Sequence, residues 1–453
     1  MIQMHILYDN VDINLQANGY RVLDGYYPRT GGSGTERVTD EIPMMISASS
    51  GAARSAAMQA ILFALTQARR NSSRVWLEFA IDENEDRWRA RIFDGNPMLD
   101  NRVSTRWRGG VLTMRLLVER DAIWSGPEVQ VPLTNDNDSD NLTGLKIYSG
   151  GDGAGSSPNK RVNYVEIAAD SVDGDLPGLT RLELTNTYSN GTDMLQTLWI
   201  GQSWSIEDYV NFPHILEAED AVSPVALLTD TLSATASGGY YGAVGPIGAG
   251  QNTDIYWTLS DDQANALRGA NYKLMYVGPV GGAWAGWDTT RFMPYISWFD
   301  GSYVLSDRYF DPTILYSIRD TGTVRLPPYL ENLDNFGSIN LYLRFYNMAA
   351  GNVTPQIDYL ALLPADGFRY VQASVGYNKR LVDDGIEGRS YLDDGAGADV
   401  YGIRKTGGER ILLMPNRLQR LYFMMHSNNP SDFGMLDMTA SVKLFYRPRR
   451  LAL

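Results

Sequence analysis

No cysteine occurs anywhere in the 453 residues, which excludes disulfides, thiolate nucleophiles and cysteine-bound zinc or iron–sulfur centres together. Histidine is almost as scarce, with only His5, His214 and His426, each isolated in the chain. A Ser-His-Asp relay needs a histidine beside its nucleophile, and no Gly-x-Ser-x-Gly elbow or His-Glu-x-x-His pair is present. The three histidines are therefore expected at the surface or at an interface. Positive charge is in deficit as well: 39 basic residues against 53 acidic ones give a net charge of −14. A nucleic-acid surface would need a dense basic patch, and the nearest approach, Arg447, Arg449 and Arg450, reads as solvated or as an inter-subunit contact. No apolar run approaches the ~20 residues of a spanning helix, and the start, Met1-Ile-Gln-Met-His, lacks a basic segment followed by an apolar core. Membrane insertion and a Sec-type signal are thus not expected.

What remains is an ordinary globular composition, 44% hydrophobic and 20% charged, tilted toward strands and turns by Gly 44, Tyr 27 and Trp 10. At roughly 100 to 200 residues per domain the length suits about three domains. The expected fold is mainly β, with several β-sandwich or jelly-roll domains, the N-terminal one carrying a single packed α-helix. That helix is expected over Gly51 to Arg70, capped by Ser49 or Ser50, with Arg69 and Arg70 complementing the dipole at its C-terminus. Around it, Val75-Trp-Leu-Glu-Phe-Ala-Ile, Arg87-Trp-Arg-Ala-Arg-Ile-Phe and Val111 to Arg120 alternate as strands, bounded by turn residues such as Asp94-Gly95-Asn96-Pro97.

Composition breaks at Asn135 to Asn141 and at Gly150 to Pro158 suggest a boundary or a long exposed loop. The expected segments are 1–136, a sheet-plus-helix domain; 137–213, sandwich strands and a connection; 214–366, a jelly roll; and 367–453, a C-terminal β segment. The last is either a small domain or the completion of a sandwich begun earlier. In the second segment, Tyr164 to Ala168, Thr180 to Asn186 and Thr197 to Gly201 alternate as half-buried antiparallel strands do. Asp136, Asp138 and Asp140 show alternating carboxylates, but Asn141 and Ile147 occupy the glycine and glutamate positions of an EF-hand, so an acidic turn is the better reading. Gly31-Gly-Ser-Gly-Thr lacks the P-loop lysine and reads as a loop. In the third segment Trp284 and Trp287 stand in Gly281-Gly-Ala-Trp-Ala-Gly-Trp, too glycine-rich for a buried strand. Loop aromatics serve sugar stacking and protein interfaces alike, and they equally cover sandwich edges.

His214-Ile-Leu-Glu-Ala-Glu-Asp-Ala, Ser237-Gly-Gly-Tyr-Tyr and Gln356-Ile-Asp-Tyr-Leu-Ala-Leu together resemble the opening and closing strands of β-sandwich carbohydrate-binding modules, over about 150 residues. The resemblance implies glycan contacts at Trp284, Trp287, Tyr240 and Tyr241, and a structural calcium whose ligands would be Glu217 and Glu219; no other cofactor is implied. From the residues alone, two glutamates at i and i+2 share one face of a strand, which is necessary but not sufficient for an ion wanting several oxygens. The order of the whole resembles siphophage tail and baseplate proteins of the distal-tail type. A strand–helix–sheet unit comes first, then Arg120-Asp-Ala-Ile-Trp-Ser-Gly and Val129-Gln-Val-Pro-Leu-Thr-Asn, then sandwich material, and last the closing Tyr446-Arg-Pro-Arg-Arg. The stretch between 137 and 370 is longer than one jelly roll needs.

This resemblance implies a non-enzymatic virion protein, assembled in the host cytoplasm as a homo-oligomeric ring or tube with other tail proteins. Its sandwich would face outward toward host-surface glycans, and copies would pair through edge strands and loops of the first domain by β-augmentation. The alternatives are a free carbohydrate-binding protein or adhesin, and a glycoside hydrolase. The last needs only two carboxylates, although no acidic residue stands out at the end of a long apolar strand where burial would raise its pKa.

Overall fold

The computed structural model describes residues 3–23, 26–29, 37–80, 87–99, 111–136, 142–148, 162–188, 194–204, 214–223, 228–232, 240–261, 263–264, 267, 271–278, 289–298, 301–304, 318–324, 339–393, 399–400, 402–427 and 438–451. The fold is mainly β, with one long helix and several antiparallel sheets. The chain divides into two compact units. The first joins Met1–Val129 with Asp173–Gly178 and Tyr446–Leu453, and the second holds Gln130–Val172 and Leu179–Phe445.

Unit 1 contains β1 (Gln3–Tyr8), β2 (Val11–Asn14), β3 (Tyr20–Val22), β4 (Arg37–Ser47), α1 (Gly51–Arg70), β5 (Val75–Ala80), β6 (Trp88–Leu99), β7 (Val111–Asp121) and β8 (Trp124–Ser125). Their main path in the sheet is β2-β1-β5-β6-β7-β4-β3. Seven flat strands about 4.8 Å apart would separate the outer two by roughly 29 Å. Yet the chain from Asn14 to Tyr20 can stretch only about 21 Å, and it is folded further by turn bonds from Ala17 N–H to Asn14 O and from Tyr20 N–H to Ala17 O. The sheet must therefore curl until β2 and β3 approach. These edges are only four and three residues long, while the strands of 11 and 12 residues, β4, β7 and β6, lie inside the sheet. Among the described residues these two outer strands offer few backbone groups for edge-strand augmentation.

The helix occupies the expected residues. Ser50 caps it, its hydroxyl oxygen accepting from Ala53 N–H at 3.1 Å. Ile61, Ala64, Leu65 and Ala68 form its buried stripe and join a core that includes Met4, Ile6, Ile42, Leu77, Ile92 and Leu116. Asp94-Gly95-Asn96-Pro97 does not end a strand: β6 runs through it, with a register shift between Ile92 and Asp94. The reason is the helix. A Cβ on Gly95 would lie 2.6 Å from the Leu65 side chain and 2.8 Å from Leu117 O, so only glycine lets α1 sit this close. Arg69 binds the Asp94 carboxylate and donates to Gly95 O at 3.0 Å, fastening the helix end to the bulge. Pro97 lies in the half of β6 that is paired with β7 alone among the described residues, β5 reaching only as far as Arg91, the kind of one-sided position that tolerates proline.

Asp40 and Arg120, both fully buried, form an ion pair at 2.5 Å. Arg120 also donates to Arg29 O at 2.7 Å and lies over the Trp124 ring, while Asp40 accepts from Arg29 N–H at 2.9 Å. The pair thereby pins residues 26–29 to the sheet. The C-terminal arginines are used within the unit as well. Arg449 and Arg450 pair with Ser125 and Trp124, Arg450 reaches Asp173 at 2.7 Å, and Arg449 donates to Pro177 O at 3.0 Å.

Unit 2 is nested. One sheet orders its strands Leu145–Tyr148, Thr439–Tyr446, Gly178–Asn186, Arg380–Asp384, Arg389–Asp393 and Asp399–Val400. A second orders Tyr164–Ile167, Gln419–Ser427, Leu195–Ser203, Gly367–Val375 and Ile403–Gly408. Both draw strands from before and after residues 214–366, so the C-terminal segment returns to complete a sandwich begun earlier. Arg369 joins the two sheets through a two-pronged bond to Asp383 at 2.9 and 2.7 Å.

Leu195–Ser203 pairs directly with Gly367–Val375, Gln202 opposite Gly367, and everything between them forms an insertion. That insertion is a further sandwich. Its sheets order as His214–Glu217, Tyr359–Pro364, Tyr272–Val277, Ile318–Val324; as Leu228–Leu232, Tyr240–Val244, Gln356–Ile357; and as Asn252–Thr258, Asn340–Asn347, Thr290–Trp298, Gly301–Val304. Trp257, Tyr272, Tyr276, Phe292 and Phe345 fill its core, and Trp199, Tyr164, Tyr422 and Met424 from the second sheet belong to the same apolar cluster. Leu195–Ser203 is consequently buried at all nine residues rather than half-buried as its alternation suggests. A sheet covered on both faces hides its polar positions too, here Gln196, Thr197, Gln202 and Ser203.

Candidate ligand-binding faces of the inserted sandwich

Glu217 is the last residue of a strand, paired with Tyr359, and Glu219 lies in the 3₁₀ turn Ala218–Asp220 that follows. The two therefore do not share a strand face as their spacing suggests. The turn forms because Ala218 is fully buried and its N–H donates to Asp358 O at 3.0 Å, while Trp257 Nε1 donates to Glu217 O at 2.6 Å. Burial pushes the Glu219 carboxyl up from its ordinary range, and the neighbouring negative charges of Asp220 and Asp230 push the same way. Its Oε2 is buried and makes no hydrogen bond, an environment that a cation or a proton would relieve. Among the described residues, however, no three or more His, Asp or Glu side chains gather as a metal cage. Two carboxylates fall short of the six to eight oxygens that calcium takes.

Tyr240 and Tyr241 begin the strand that packs against this turn. Adjacent strand residues point to opposite faces, so the two rings do not make one platform; Tyr240 is 43% exposed and Tyr241 half-buried. Trp284 and Trp287 lie outside the described residues, as do Gly31–Gly34, Asp138 and Asp140.

Sequence reasoning missed a different cluster, on the outward face of the sheet built from Asn252–Thr258, Asn340–Asn347 and Thr290–Trp298. Phe292, Ile296, Leu341, Leu343, Phe345, Ile255 and Trp257 alternate inward and are buried, which turns the residues between them out. Register aligns those residues in rows. Tyr256, Tyr342 and Tyr295 stand opposite one another across three strands. The Tyr295 and Tyr342 rings stack at 4.5 Å with 11° between planes, and Tyr342 meets Tyr256 at 4.9 Å. On one side of this aromatic row Arg344 clasps Asp254 with two bonds of 2.7 and 2.8 Å, and Tyr295 donates its hydroxyl to Asp254 at 2.9 Å. On the other side Thr258 donates to the Asn340 side chain at 2.8 Å. Burial, and then the bond to Asp254, push the Tyr295 hydroxyl pKa up, so it remains a neutral donor.

The groups that catalysis would need are disposed otherwise. His5 and His426 are buried, 4% and 2% exposed, not at the surface. His5 is held by Asp12 at 2.6 Å in β1, and its Nε2 meets no hydrogen-bond partner, so nothing relays from it to a nucleophile. His426 sits mid-sheet opposite Thr197, where burial lowers its pKa to about 4. The side chain of His214 lies outside what is described. Contrary to expectation, one carboxyl does end a long apolar strand with a raised pKa. It is Asp121 of β7, where burial outweighs Arg91, Arg449, Arg37 and Arg120. Glu219, whose carboxyl is also raised, belongs to the other unit.

No protein-family model matches the chain. No curated protein matches it either. Among solved structures, the chain is similar over 98% of both lengths to the phage SPP1 Dit (gp 19.1) protein, described as a paradigm of the hub adsorption apparatus in phages infecting Gram-positive hosts, at 9% identity and a TM-score of 0.33. Chains from the phage P2 baseplate in its activated conformation, with calcium and with strontium, align over 78% of this chain and 99% of theirs at 8% identity, with TM-scores of 0.24 and 0.25. Similarity at this level establishes neither a common fold nor a common role.

Proposed function

We propose that this protein is a structural component of a bacteriophage tail or baseplate, assembling through unit 1 into a ring or tube with other tail proteins and carrying the sandwich of residues 214–366 outward. The observation that carries the reading is how the chain divides its charge and its exposed apolar surface. Unit 1 holds 18 acidic and 18 basic residues, which from totals of 53 and 39 leaves 35 and 21 to unit 2, so the whole −14 resides there. On unit 1, α1 has no charged residue between Arg54 and Arg69. It exposes Leu62 by 39% and Phe63 by 57%, and Phe63 meets Tyr8 edge to face beside the exposed Val11. A neutral unit with an uncharged apolar face suits contact between identical copies, whereas a strongly acidic unit suits solvent. The sheet-plus-helix unit followed by nested sandwiches also keeps the order on which the resemblance to distal-tail proteins rests.

In this reading the inserted sandwich serves adhesion to host-surface glycans, with Trp284, Trp287, Tyr240 and Tyr241 as the aromatic contacts. Glu217 and Glu219 would be the carboxylates holding a calcium ion, the buried Glu219 oxygen supplying the incentive. The location is the virion, after assembly in the host cytoplasm. Light scattering on the purified chain, followed by negative-stain imaging, is expected to give a mass several times 50.4 kDa and discrete rings or short tubes. A monomer at high concentration would overturn the assembly reading.

A further inference from the structure

The outward tyrosine sheet presents a combination that a merely stabilising ladder does not require. Cross-strand aromatic pairs strengthen a sheet wherever they fall, but here the row Tyr256–Tyr342–Tyr295 is bordered on both sides by planar or hydroxylic polar groups. Asp254 and Arg344 lie on one side, with Met293 completing that row, and Thr258 and Asn340 on the other. Strands are about 4.8 Å apart and successive outward residues about 6.8 Å apart, so the banded area measures on the order of 10 by 14 Å. That is the footprint of about two sugar rings. A pyranose is banded in the same sense, with C–H groups at the centre of its face and hydroxyls around the rim.

We propose that this sheet face binds carbohydrate, the sugar C–H face lying along the tyrosine row and its hydroxyls bonding to the Asp254–Arg344 pair and to Asn340. The inference deepens the adhesion reading and rests on it, but it moves the principal contact from the loop carrying Trp284 and Trp287 to the sheet. Three observations carry it. The polar groups are fixed before any ligand arrives: Asp254 is held by both arms of Arg344 and by the Tyr295 hydroxyl, so little ordering remains to oppose binding. The Asp254–Arg344 pair adds no net charge to the face. The surrounding unit, with 35 acidic residues against 21 basic ones, disfavours polyanions, so the ligand is a neutral glycan of hexoses or N-acetylhexosamines rather than a phosphate-bearing or uronic-acid polymer. Finally, the face stands on rigid strands over a packed core of Phe292, Leu343 and Phe345, which holds the contacts in place.

The test is a printed array of neutral, amino and acidic bacterial glycans probed with the full-length protein, followed by calorimetry on the strongest ligand. Tyr342→Ala should weaken binding at least tenfold. Tyr342→Phe and Arg344→Lys leave the packing in place and serve as variants whose melting curves must match the wild type; Arg344→Lys, which loses the two-pronged geometry, should weaken binding several-fold. Loss of affinity in Tyr342→Ala and Arg344→Lys, with retention in Tyr342→Phe, whose ring remains, and in the double variant Trp284→Ala, Trp287→Ala, establishes the sheet face. Retention in all the sheet variants with loss in the tryptophan variant overturns it, as does tightest binding to polyanions. Binding to no glycan overturns both this inference and the adhesion reading, while rings seen in the same sample would leave the assembly reading standing.

Discussion

The two units solve burial in different ways. Unit 1 curls one sheet under one helix, buries the ion pair Asp40–Arg120 completely, and balances its charges. Unit 2 stacks sheets on both faces of the strand Leu195–Ser203 and buries Glu183, Asp383 and Asp393 against arginines. Arg380 binds both Glu183 and Asp393, and Arg369 clasps Asp383. A unit whose charges cancel approaches its own copies without long-range repulsion. An acidic one repels its copies at distances up to the Debye length, about 8 Å at physiological salt. Under the proposed assembly, the neutral unit is the part that meets its own copies and the acidic unit the part that stays in solvent.

The comparison is broken most forcefully through Asp40. Replacing it with Asn leaves Arg120 charged and buried without its counter-ion, which costs about 3–5 kcal/mol. Calorimetry or hydrogen exchange should show unit 1 opening at lower temperature while unit 2 keeps its transition. Equal loss in both would mean that the units are not separately stable.

Acid sharpens the contrast next. His426 is lowered by burial to about 4 from 6.5. As pH falls from 6.5 toward 4 the unfolded chain takes up a proton that the folded state refuses, so stability is complete above about 6.5 and drains through that window. At ~1.4 kcal/mol per unit the loss is at most about 3 kcal/mol. Asp121 in unit 1 has the opposite sign. Its carboxyl is raised, so the folded state holds a proton more tightly than the unfolded one, and this contribution favours unit 1 in acid and fades as pH rises. Melting curves from pH 7 to 4 should therefore show unit 2 losing stability with a slope that His426→Gln flattens; an unchanged slope would refute the assignment.

The smallest effect on stability is expected at Phe63. As it is more than half exposed, Phe63→Ser should cost no more than about 1 kcal/mol, chiefly the edge-to-face contact with Tyr8. Light scattering should nonetheless show loss of higher oligomers. Intact oligomers in the variant would place the interface elsewhere on the unit.

Local signals were the legible ones. The extent of the helix from Gly51 to Arg70 and its Ser50 cap follow from sequence, and most strands follow from alternation. The buried face of the helix does not: the sequence suggests Ala56, Ala60, Phe63 and Ala64, whereas Ala56, Ala60 and Phe63 are exposed and Ile61, Ala64, Leu65 and Ala68 meet the core. Illegible features depend on what lies across the fold. Asp94-Gly95-Asn96-Pro97 has the composition of a turn, and only the pressure of Leu65 explains why the strand keeps that glycine. Leu195–Ser203 alternates like a half-buried strand, but sheets from distant sequence cover both its faces. The tyrosine face is assembled from residues near 255, 295 and 342 by register alone, with no motif to betray it. The C-terminal arginines look like a free basic patch, whereas their partners, Asp173 and the Pro177 carbonyl, are some 270 residues earlier.

The most direct test of the division is to remove residues 204–366, join Ser203 to Gly367 through a short glycine turn where the two strands already pair, and measure mass and particle shape beside the full-length protein. If unit 1 assembles and the insertion is displayed, the shortened chain forms rings of the same copy number with less projecting mass. If the shortened chain folds but remains monomeric, assembly belongs to the insertion and the account is wrong.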